Sequence, residues 1–145
     1  MPTIYEVLKK DHDSHREVLK RLDATSGDSP EREKLYATMK QEVEAHTAAE
    51  EETFYATLMA RPEGQEKARH SVSEHKEAVD LLGELDDTAF SSPGWLPRFR
   101  KLKEELEHHM DEEENEIFKR ARKLIAEPEA RELGEAFLER KQAEL

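Results

Sequence analysis

The feature that most constrains this chain is a pair of His-x-x-x-Glu stretches, which run from His46 to Glu50 and from His109 to Glu113. Residues four apart lie on one face of an α-helix, one turn above the other. Apolar residues flank both stretches at helical spacing, so each pair is predicted to point into a core. Imidazoles and carboxylates buried there without partners would be destabilising, and a bound metal ion would remove that penalty. The flanking residues are Met39, Val43, Phe54 and Leu58 in the first case and Leu102, Leu106, Ile117 and Leu124 in the second.

Prolines and glycines divide the chain into five segments with helical periodicity, and no segment alternates like a strand. The inner face of the third segment is predicted to carry Val72, His75, Val79 and Leu82. One domain over 1–145 is expected, with an all-α fold. Its architecture is an up-down-up-down four-helix bundle with a short C-terminal fifth helix. The predicted helices cover about 3–24, 30–60, 65–85 and 96–126, which form two hairpins (about 3–60 and 65–126), and a tail helix covers 128–144.

An internal repeat indicates which histidines belong together. A shift of 63 residues places His12 on His75, His46 on His109 and Glu50 on Glu113. Each half therefore carries one histidine and then a His-x-x-x-Glu stretch. Two such hairpins packed together have approximate twofold symmetry. The same shift also aligns neighbouring residues, among them Asp11 with Glu74, Leu19 with Leu82, Met39 with Leu102 and Tyr55 with Phe118.

The repeat predicts a set of six metal ligands that converge from four helices. A catalytic zinc ion typically takes three protein ligands, so six are too many for one such ion. The set suits two ions that share both carboxylates, each ion also bound by two histidines. Iron or manganese would retain open positions for water, hydroxide or a small molecule, and zinc binds the same donors. The predicted ligands are His12, His46, Glu50, His75, His109 and Glu113.

The ordered ligand set resembles the hemerythrin-like, or HHE cation-binding, family. The resemblance implies a four-helix bundle that holds two iron ions joined by an oxo or hydroxo bridge. It also implies a role in binding or sensing dioxygen, nitric oxide or peroxide. Manganese and zinc are the alternative metals. The residues that carry the resemblance are Asp11-His12, His46-x-x-x-Glu50-Glu51, Glu74-His75 and His109-x-x-x-Glu113-Glu114, followed by Ile117-Phe118.

Two positions depart from the oxygen-carrying hemerythrins. Those proteins have a fifth histidine one turn before the third-helix ligand, where this chain has Ser71, and His70 lies one residue away. Their last carboxylate is an aspartate five residues after its histidine, whereas Glu113 follows its histidine by four. The chain thus resembles a bacterial-type HHE protein more than a dedicated oxygen carrier. His15, one turn after His12, is left open as a ligand, a hydrogen-bond donor, a cavity gate or a packing residue.

Three functions remain open from the sequence. The first is a diiron protein that binds or senses a small oxidant or gas, and the second is an enzyme that decomposes peroxide or handles iron. The third is a metal-free helical interaction module, which the buried polar set argues against. Ferritin-like sites use Glu-x-x-His. None of the four residues three positions before the predicted histidine ligands is a glutamate: they are Lys9, Val43, Val72 and Leu106.

Charge and composition limit the kinds of partner and the kinds of site that this chain can have. The net charge of −12 argues against nucleic acid and anionic membranes as partners. The chain contains no cysteine, which excludes disulfides and thiolate metal sites. No segment has the features of a signal peptide or a membrane span. A cytoplasmic monomer or weak homodimer with a small-molecule partner is therefore expected.

Overall fold

The computed structural model describes residues 1–145, and four long helices and a tail helix make up its fold. The predicted all-α fold is confirmed, and the helices end within two residues of the predicted positions. No helix combines the length and apolar character that a membrane span requires. The first helix is Ile4–Asp23, the third is Gln65–Asp86, which follows a 3-10 turn Pro62–Gly64, and the tail helix is Glu127–Glu144. The second helix is Pro30–Glu50, and it continues through a π-helical turn Glu51–Tyr55 into an α-helical turn Ala56–Met59. The fourth helix is Trp95–Glu112, and it continues through a π-helical turn Glu113–Ile117 into the α-helical segment Phe118–Leu124.

Local signals explain where the first two helices begin. The Thr3 hydroxyl accepts a hydrogen bond from the Glu6 backbone N–H, and the Glu6 carboxylate accepts one from the Thr3 N–H. This reciprocal capping box satisfies two backbone donors that the first turn leaves free. The Ser29 hydroxyl caps the second helix by accepting a hydrogen bond from the Arg32 backbone N–H, and Pro30 follows Ser29 where proline is best tolerated.

The bundle has two apolar clusters with a polar layer between them. The first cluster joins the start of the first helix to the ends of the second and fourth helices and to the tail helix. The second joins the opposite halves of the four long helices. The histidines and glutamates of the repeat lie between the two clusters. The largest fully buried side chains are Phe54, Tyr55 and Phe137 in the first cluster and Trp95 and Phe99 in the second.

The tail helix packs against the first and second helices. Phe137 is fully buried in the first apolar cluster. Gly134 permits a close approach, since a Cβ there would lie 2.7 Å from the Pro2 carbonyl oxygen. One side of the polar layer is therefore covered by the tail, and the other side is not.

The structure corrects two details of the predicted helices. Val79 does not belong to the inner face of the third helix, because its residue surface is 54% exposed, whereas Ala78 is buried there. The inner stripe runs on the Ala78 side of His75, which leaves Val79 at its outer edge. In addition, the second and fourth helices are not continuous α-helices, since each contains a π-helical turn.

Candidate metal centre

All six predicted ligands meet in the polar layer between the two apolar clusters. The side chains of Glu50 and Glu113 are fully buried, and the four histidines are 1–8% exposed. Carboxylates are rarely fully buried unless they have a partner. The helices bring the six together as predicted, with the first and third helices each giving one histidine and the second and fourth each giving a histidine and a glutamate.

The Glu50 carboxylate extends between the histidines of the two hairpins. Its Oε2 lies 3.3 Å from His46 Nε2, and its Oε1 lies 3.0 Å from His75 Nε2 and 3.9 Å from His109 Nε2. One carboxylate thus faces both halves of the repeat. This is the placement that a bridging ligand requires.

The Glu113 carboxylate also lies between the histidines of the two hairpins. Its Oε1 lies 3.1 Å from His12 Nε2, and its Oε2 lies 3.4 Å from His109 Nε2. Two groups of donor atoms result, each within 4.8 Å of one another: His12, His46, Glu50 and Glu113 in one, and Glu50, His75 and His109 in the other. Counting both oxygens of each glutamate, every histidine pair faces two carboxylate oxygens.

Several of these atoms lack hydrogen bonds even though they are buried. His12 Nε2, Glu113 Oε1 and both oxygens of Glu50 have no hydrogen-bond partner. The Nε2 atoms of His75 and His109 face each other at 3.1 Å. Converging donor atoms that are buried and unsatisfied are costly in a protein interior. A pair of metal ions fits them, since imidazole nitrogens and carboxylate oxygens are ligands of iron, manganese and zinc.

Four more carboxylates face the outer nitrogens of the histidines. Asp11 Oδ2 lies 2.6 Å from His46 Nδ1, Glu74 Oε1 lies 2.8 Å from His109 Nδ1, and Glu114 Oε2 lies 2.7 Å from His12 Nδ1. Glu51 Oε2 lies 3.6 Å from His75 Nδ1, beyond hydrogen-bond distance. A carboxylate only accepts, so the first three Nδ1 atoms donate and their Nε2 lone pairs face the centre.

These outer carboxylates obey the same 63-residue shift as the ligands. Asp11 corresponds to Glu74, and each contacts the second histidine of its own hairpin. Glu51 corresponds to Glu114, and each faces the first histidine of the other hairpin. The repeat therefore includes the groups that orient the ligands as well as the ligands themselves.

The carboxylates shift the pKa values of the metal-free histidines upward. Burial alone would lower the pKa of His12, but the nearby carboxylates of Glu113 and Glu114 raise it to about 9. Burial likewise opposes charge on His75, and Glu50 and Glu51 raise its pKa to about 9. Burial would raise the pKa of Glu50, yet the surrounding histidines lower it well below the usual range. The centre therefore favours positive charge between its carboxylates.

The family model for the hemerythrin HHE cation binding domain matches residues 3–121. This chain belongs to that family. It is 30% identical over 141 residues to the uncharacterized protein Rv2633c of Mycobacterium tuberculosis and to the uncharacterized protein Mb2666c of Mycobacterium bovis. Each of these alignments covers 94% of this chain and 83% of the relative.

The comparison with solved structures agrees with the family. The structure resembles that of a hemerythrin HHE cation binding domain-containing protein from Mycobacterium kansasii, described as the Rv2633c homolog. The TM-score is 0.89 at 28% identity, and the match covers 99% of this chain and 88% of that chain. The hemerythrin-like resemblance of the sequence is therefore confirmed, together with the helical bundle.

The π-helical turns of this HHE domain begin directly after Glu50 and at Glu113. Tyr55 lies five residues after Glu50, where an α-helix would have turned roughly 140° away from it. The wider turn over Glu51–Tyr55 instead brings Tyr55 into the core, 1% exposed. Its hydroxyl donates a short hydrogen bond to Glu113 Oε2. Inserted π-turns of this kind are frequent at functional sites.

Three further histidines lie outside the six ligands. His15 Nε2 is 3.9 Å from both Asp11 Oδ2 and Glu42 Oε2, so His15 sits behind His46 on its Nδ1 side. Burial is the main cause that lowers the pKa of His15 to about 3, which keeps it neutral. His70 and His108 lie at the surface of this HHE domain, with side chains 53% and 63% exposed.

A small cavity lies against the histidines. Its volume is about 30 Å³, close to the share of one molecule in liquid water. Four of its lining residues are predicted ligands, and the rest of the wall combines four apolar side chains with His15, Thr47, Glu74 and Glu105. The lining includes His12, His46, His75, His109, Val43, Ala78, Leu106 and Met110.

Sequence reasoning left the supporting groups of this HHE domain largely unassigned. Glu51 and Glu114 appear in the sequence only as the residues that follow the two His-x-x-x-Glu stretches, and the structure places both beside predicted ligand histidines. Asp11 and Glu74 appeared only as neighbours in the repeat. The available signal was the 63-residue shift itself, which aligns acidic residues at both pairs of positions. Tyr55 appears in the sequence only as the counterpart of Phe118, and nothing in its spacing indicates a contact with Glu113.

Proposed function

We propose that this HHE domain holds two iron ions bridged by Glu50 and Glu113 and binds or senses a small oxidant or gas there. The observation that carries this is the division of each carboxylate between the two histidine pairs. Each ion would receive two imidazole nitrogens and two carboxylate oxygens. Iron usually takes five or six ligands, so positions would remain for a bridging oxygen atom and an exogenous molecule. Manganese and zinc are the alternative metals.

The cavity beside the histidines supports a small ligand. Its volume of about 30 Å³ suits a diatomic molecule or peroxide. Dioxygen, nitric oxide and peroxide are therefore the proposed partners. Reduced iron, when bound by these residues, would supply the electrons that such a ligand accepts.

The chain's own residues would hold and orient the ions. Asp11, Glu74 and Glu114 each accept the Nδ1 proton of one histidine, which fixes the ring and increases the basicity of its Nε2. The apolar side chains of Val43, Ala78, Leu106 and Met110 would limit access of bulk water to the ligand. Displacement of the histidine protons by metal would make binding weaken as the pH falls.

The test is metal analysis together with visible spectra of protein purified without oxygen and then exposed to air. We expect about two iron ions per chain and new near-ultraviolet and visible bands on exposure to air. The double variant His46→Ala/His109→Ala should lose the tightly bound iron. The matched control is His70→Ala, which removes an exposed histidine outside the six and should keep both ions. Equal iron content in the wild type and the double variant would show that the centre is wrongly assigned.

Peroxide decomposition is the second candidate, and Tyr55 is the observation that favours it. Its buried hydroxyl contacts bridging Glu113, and burial with the nearby carboxylates raises the pKa of Tyr55 well above its usual value. A phenol held neutral in this place is a proton donor for an oxidant reduced at the centre. Bands that reverse when oxygen is removed would support binding or sensing. Persistent bands, with peroxide consumption that falls in Tyr55→Phe, would support the enzyme.

We further propose that the chain acts in the cytoplasm as a monomer or weak homodimer. Its net charge of −12 disfavours nucleic acid and anionic lipid as partners. Analytical ultracentrifugation at several concentrations tests the oligomeric state. A concentration-independent tetramer would contradict the expectation.

A further inference from the structure

A second group of metal-ligating side chains lies on the surface where the third and fourth helices meet. Glu112 contacts two histidines at once, with Oε1 2.8 Å from His70 Nε2 and Oε2 3.1 Å from His108 Nε2. Glu74 Oε2 lies 3.6 Å from His70 Nε2 and 3.7 Å from His108 Nε2. We call these four residues the outer cluster. It offers two imidazoles and two carboxylates, and three of its members already have donor atoms within 4.8 Å of one another.

Burial within the outer cluster is uneven. The side chains of Glu74 and Glu112 are 10% and 14% exposed, although carboxylates usually project into water. The rings of His70 and His108 lie over them and remain more than half exposed. The carboxylates therefore lie toward the interior, and the imidazoles lie toward solvent. A small cation can reach this arrangement directly from solvent.

Comparison of the two halves of the internal repeat shows that the outer cluster has no lysine or arginine partner. Asp11 is the counterpart of Glu74, and Lys141 of the tail helix lies 2.7 Å from its Oδ1 and 2.7 Å from Glu42 Oε2. A permanent positive charge thus neutralises the first-hairpin carboxylate. No lysine or arginine forms an ion pair with Glu74 or Glu112, which contact histidines only.

We propose that His70, Glu74, His108 and Glu112 bind one divalent transition-metal ion, separate from the two-ion centre, and stage that ion for loading into it. Imidazole donors favour ions such as Fe²⁺ or Zn²⁺ over Mg²⁺ and Ca²⁺. Glu74 connects the two sites, because its Oε1 accepts the Nδ1 proton of His109 and its side chain lines the cavity beside the ligands. The outer site stands by itself, whereas its staging role rests on the proposed function.

Binding is tested by titrating Zn²⁺ into protein whose centre is already filled, using calorimetry and metal analysis. The wild type should bind one additional ion per chain. His70→Ala/His108→Ala should weaken that binding about tenfold or more while the tightly bound metal stays unchanged. Glu112→Gln should weaken it as well. Glu104→Gln is the matched control, because Glu104 is an exposed glutamate of the same helix. Wild-type affinity in the double histidine variant, or no additional ion in the wild type, would overturn the outer site.

A second variant separates the outer site from the centre. His12→Ala/His46→Ala removes two predicted ligands of the first hairpin and leaves His109 with its Glu74 contact. This protein should lose the tightly bound metal and still bind one Zn²⁺ at the outer cluster. Loss of both kinds of binding would show that the outer ion is not separate from the centre.

The staging role is tested by the rate at which metal-free protein takes up Fe²⁺ under anaerobic conditions. Loading should slow about fivefold or more in His70→Ala/His108→Ala, with the same final iron content, if binding at the outer cluster precedes transfer. Equal loading rates would overturn the staging role. If instead no variant or wild-type protein holds two iron ions at all, the proposed function fails while the Zn²⁺ titration still decides the outer site.

Discussion

The two faces of the ligand layer differ although the ligands repeat. On the first-hairpin face, the tail helix covers the layer, with Phe137 packed 5.3 Å from the His46 ring and Lys141 paired with Asp11. On the second-hairpin face, Glu74 lies beneath exposed His70 and no helix covers it. The duplicated sequence fixes the inner geometry on both sides. The residues packed outside the ligand layer make the two faces different. The ammonium group of Lys141 closes the first-hairpin face, whereas the second-hairpin face stays open to ions from solvent.

The aromatic residues beside the centre also differ between the two halves of the repeat. Tyr55 and Phe118 correspond under the 63-residue shift, but only Tyr55 carries a hydroxyl, and it contacts Glu113. Phe118 stacks beside His12 at a ring distance of 6.5 Å and offers no hydrogen bond. One side of the centre thus has a proton donor and the other has a hydrocarbon wall. A symmetric set of ligands can therefore support asymmetric chemistry.

The largest effect should come from Glu50 and Glu113, the proposed bridging residues, where the two halves are expected to behave alike. Glu50→Gln or Glu113→Gln removes a charge that both histidine pairs face, so each variant should lose most of both ions. Metal analysis after gel filtration checks this. Glu44→Gln, an exposed glutamate of the second helix, is the control and should retain the metal. Normal metal content in one glutamine variant would contradict the expectation that the two halves of the centre behave alike.

Packing of the tail helix should have the next largest effect. Phe137→Ala empties a fully buried site, and truncation of a buried phenylalanine costs about 3–5 kcal/mol. The neighbouring Leu138 is 49% exposed, so Leu138→Ala should change the free energy of unfolding by about 0.5 kcal/mol or less. Urea denaturation of the metal-loaded protein measures both. Equal effects would mean that the tail does not seal the first-hairpin face.

The metal-free protein should lose stability as the pH rises. The folded-state pKa values of His12 and His75 are both raised to about 9, above the ordinary value of 6.5. Their contribution is therefore fully present below about pH 6.5 and is lost as the pH rises through 9. The free energy of unfolding should fall by roughly 3 kcal/mol for each of the two histidines over this range, since each pKa unit corresponds to about 1.4 kcal/mol.

Metal-loaded protein is the control for this pH dependence. Ligation replaces the histidine protons, so its stability should rise or stay level between pH 6.5 and 9. Below about pH 4.5 both forms should weaken, because the pKa values of Asp11, Glu74 and Glu114 are lowered in the fold and their protonation destabilises it. Thermal unfolding across pH gives both curves. Parallel curves for the two forms would argue against proton–metal exchange at the histidines.

The sequence predicts the centre better than its surroundings, for physical reasons. The helical period and the repeat place His46, Glu50 and their partners on inner faces, because burial has the same spacing in both halves. The π-turns are not visible in any propensity scale, although both repeats have two consecutive apolar residues after the glutamate, Phe54-Tyr55 and Ile117-Phe118. The contact of Lys141 with Asp11 joins residues far apart in the chain. No periodicity encodes such a contact.

The smallest effect compares Asp11→Asn with Glu74→Gln. Each removes the charge that accepts a histidine Nδ1 proton, so metal affinity should fall about 10- to 100-fold in both. The two differ in what remains outside. Asp11→Asn leaves Lys141 beside a neutral amide, with Glu42 as its remaining partner. In the metal-free protein, Asp11→Asn should therefore cost about 1 kcal/mol more than Glu74→Gln.

A double-mutant cycle isolates that difference. Asp11→Asn combined with Lys141→Met should show a coupling energy of about 1 kcal/mol, because the two side chains are in contact. Glu74→Gln combined with Lys141→Met should be additive, since they share no contact. Coupling of equal size in both cycles would mean that the ammonium acts on the whole centre through its field. Coupling confined to Asp11 would show that the charge of Lys141 serves one face, which leaves Glu74 dependent on the histidines and on any ion they bind.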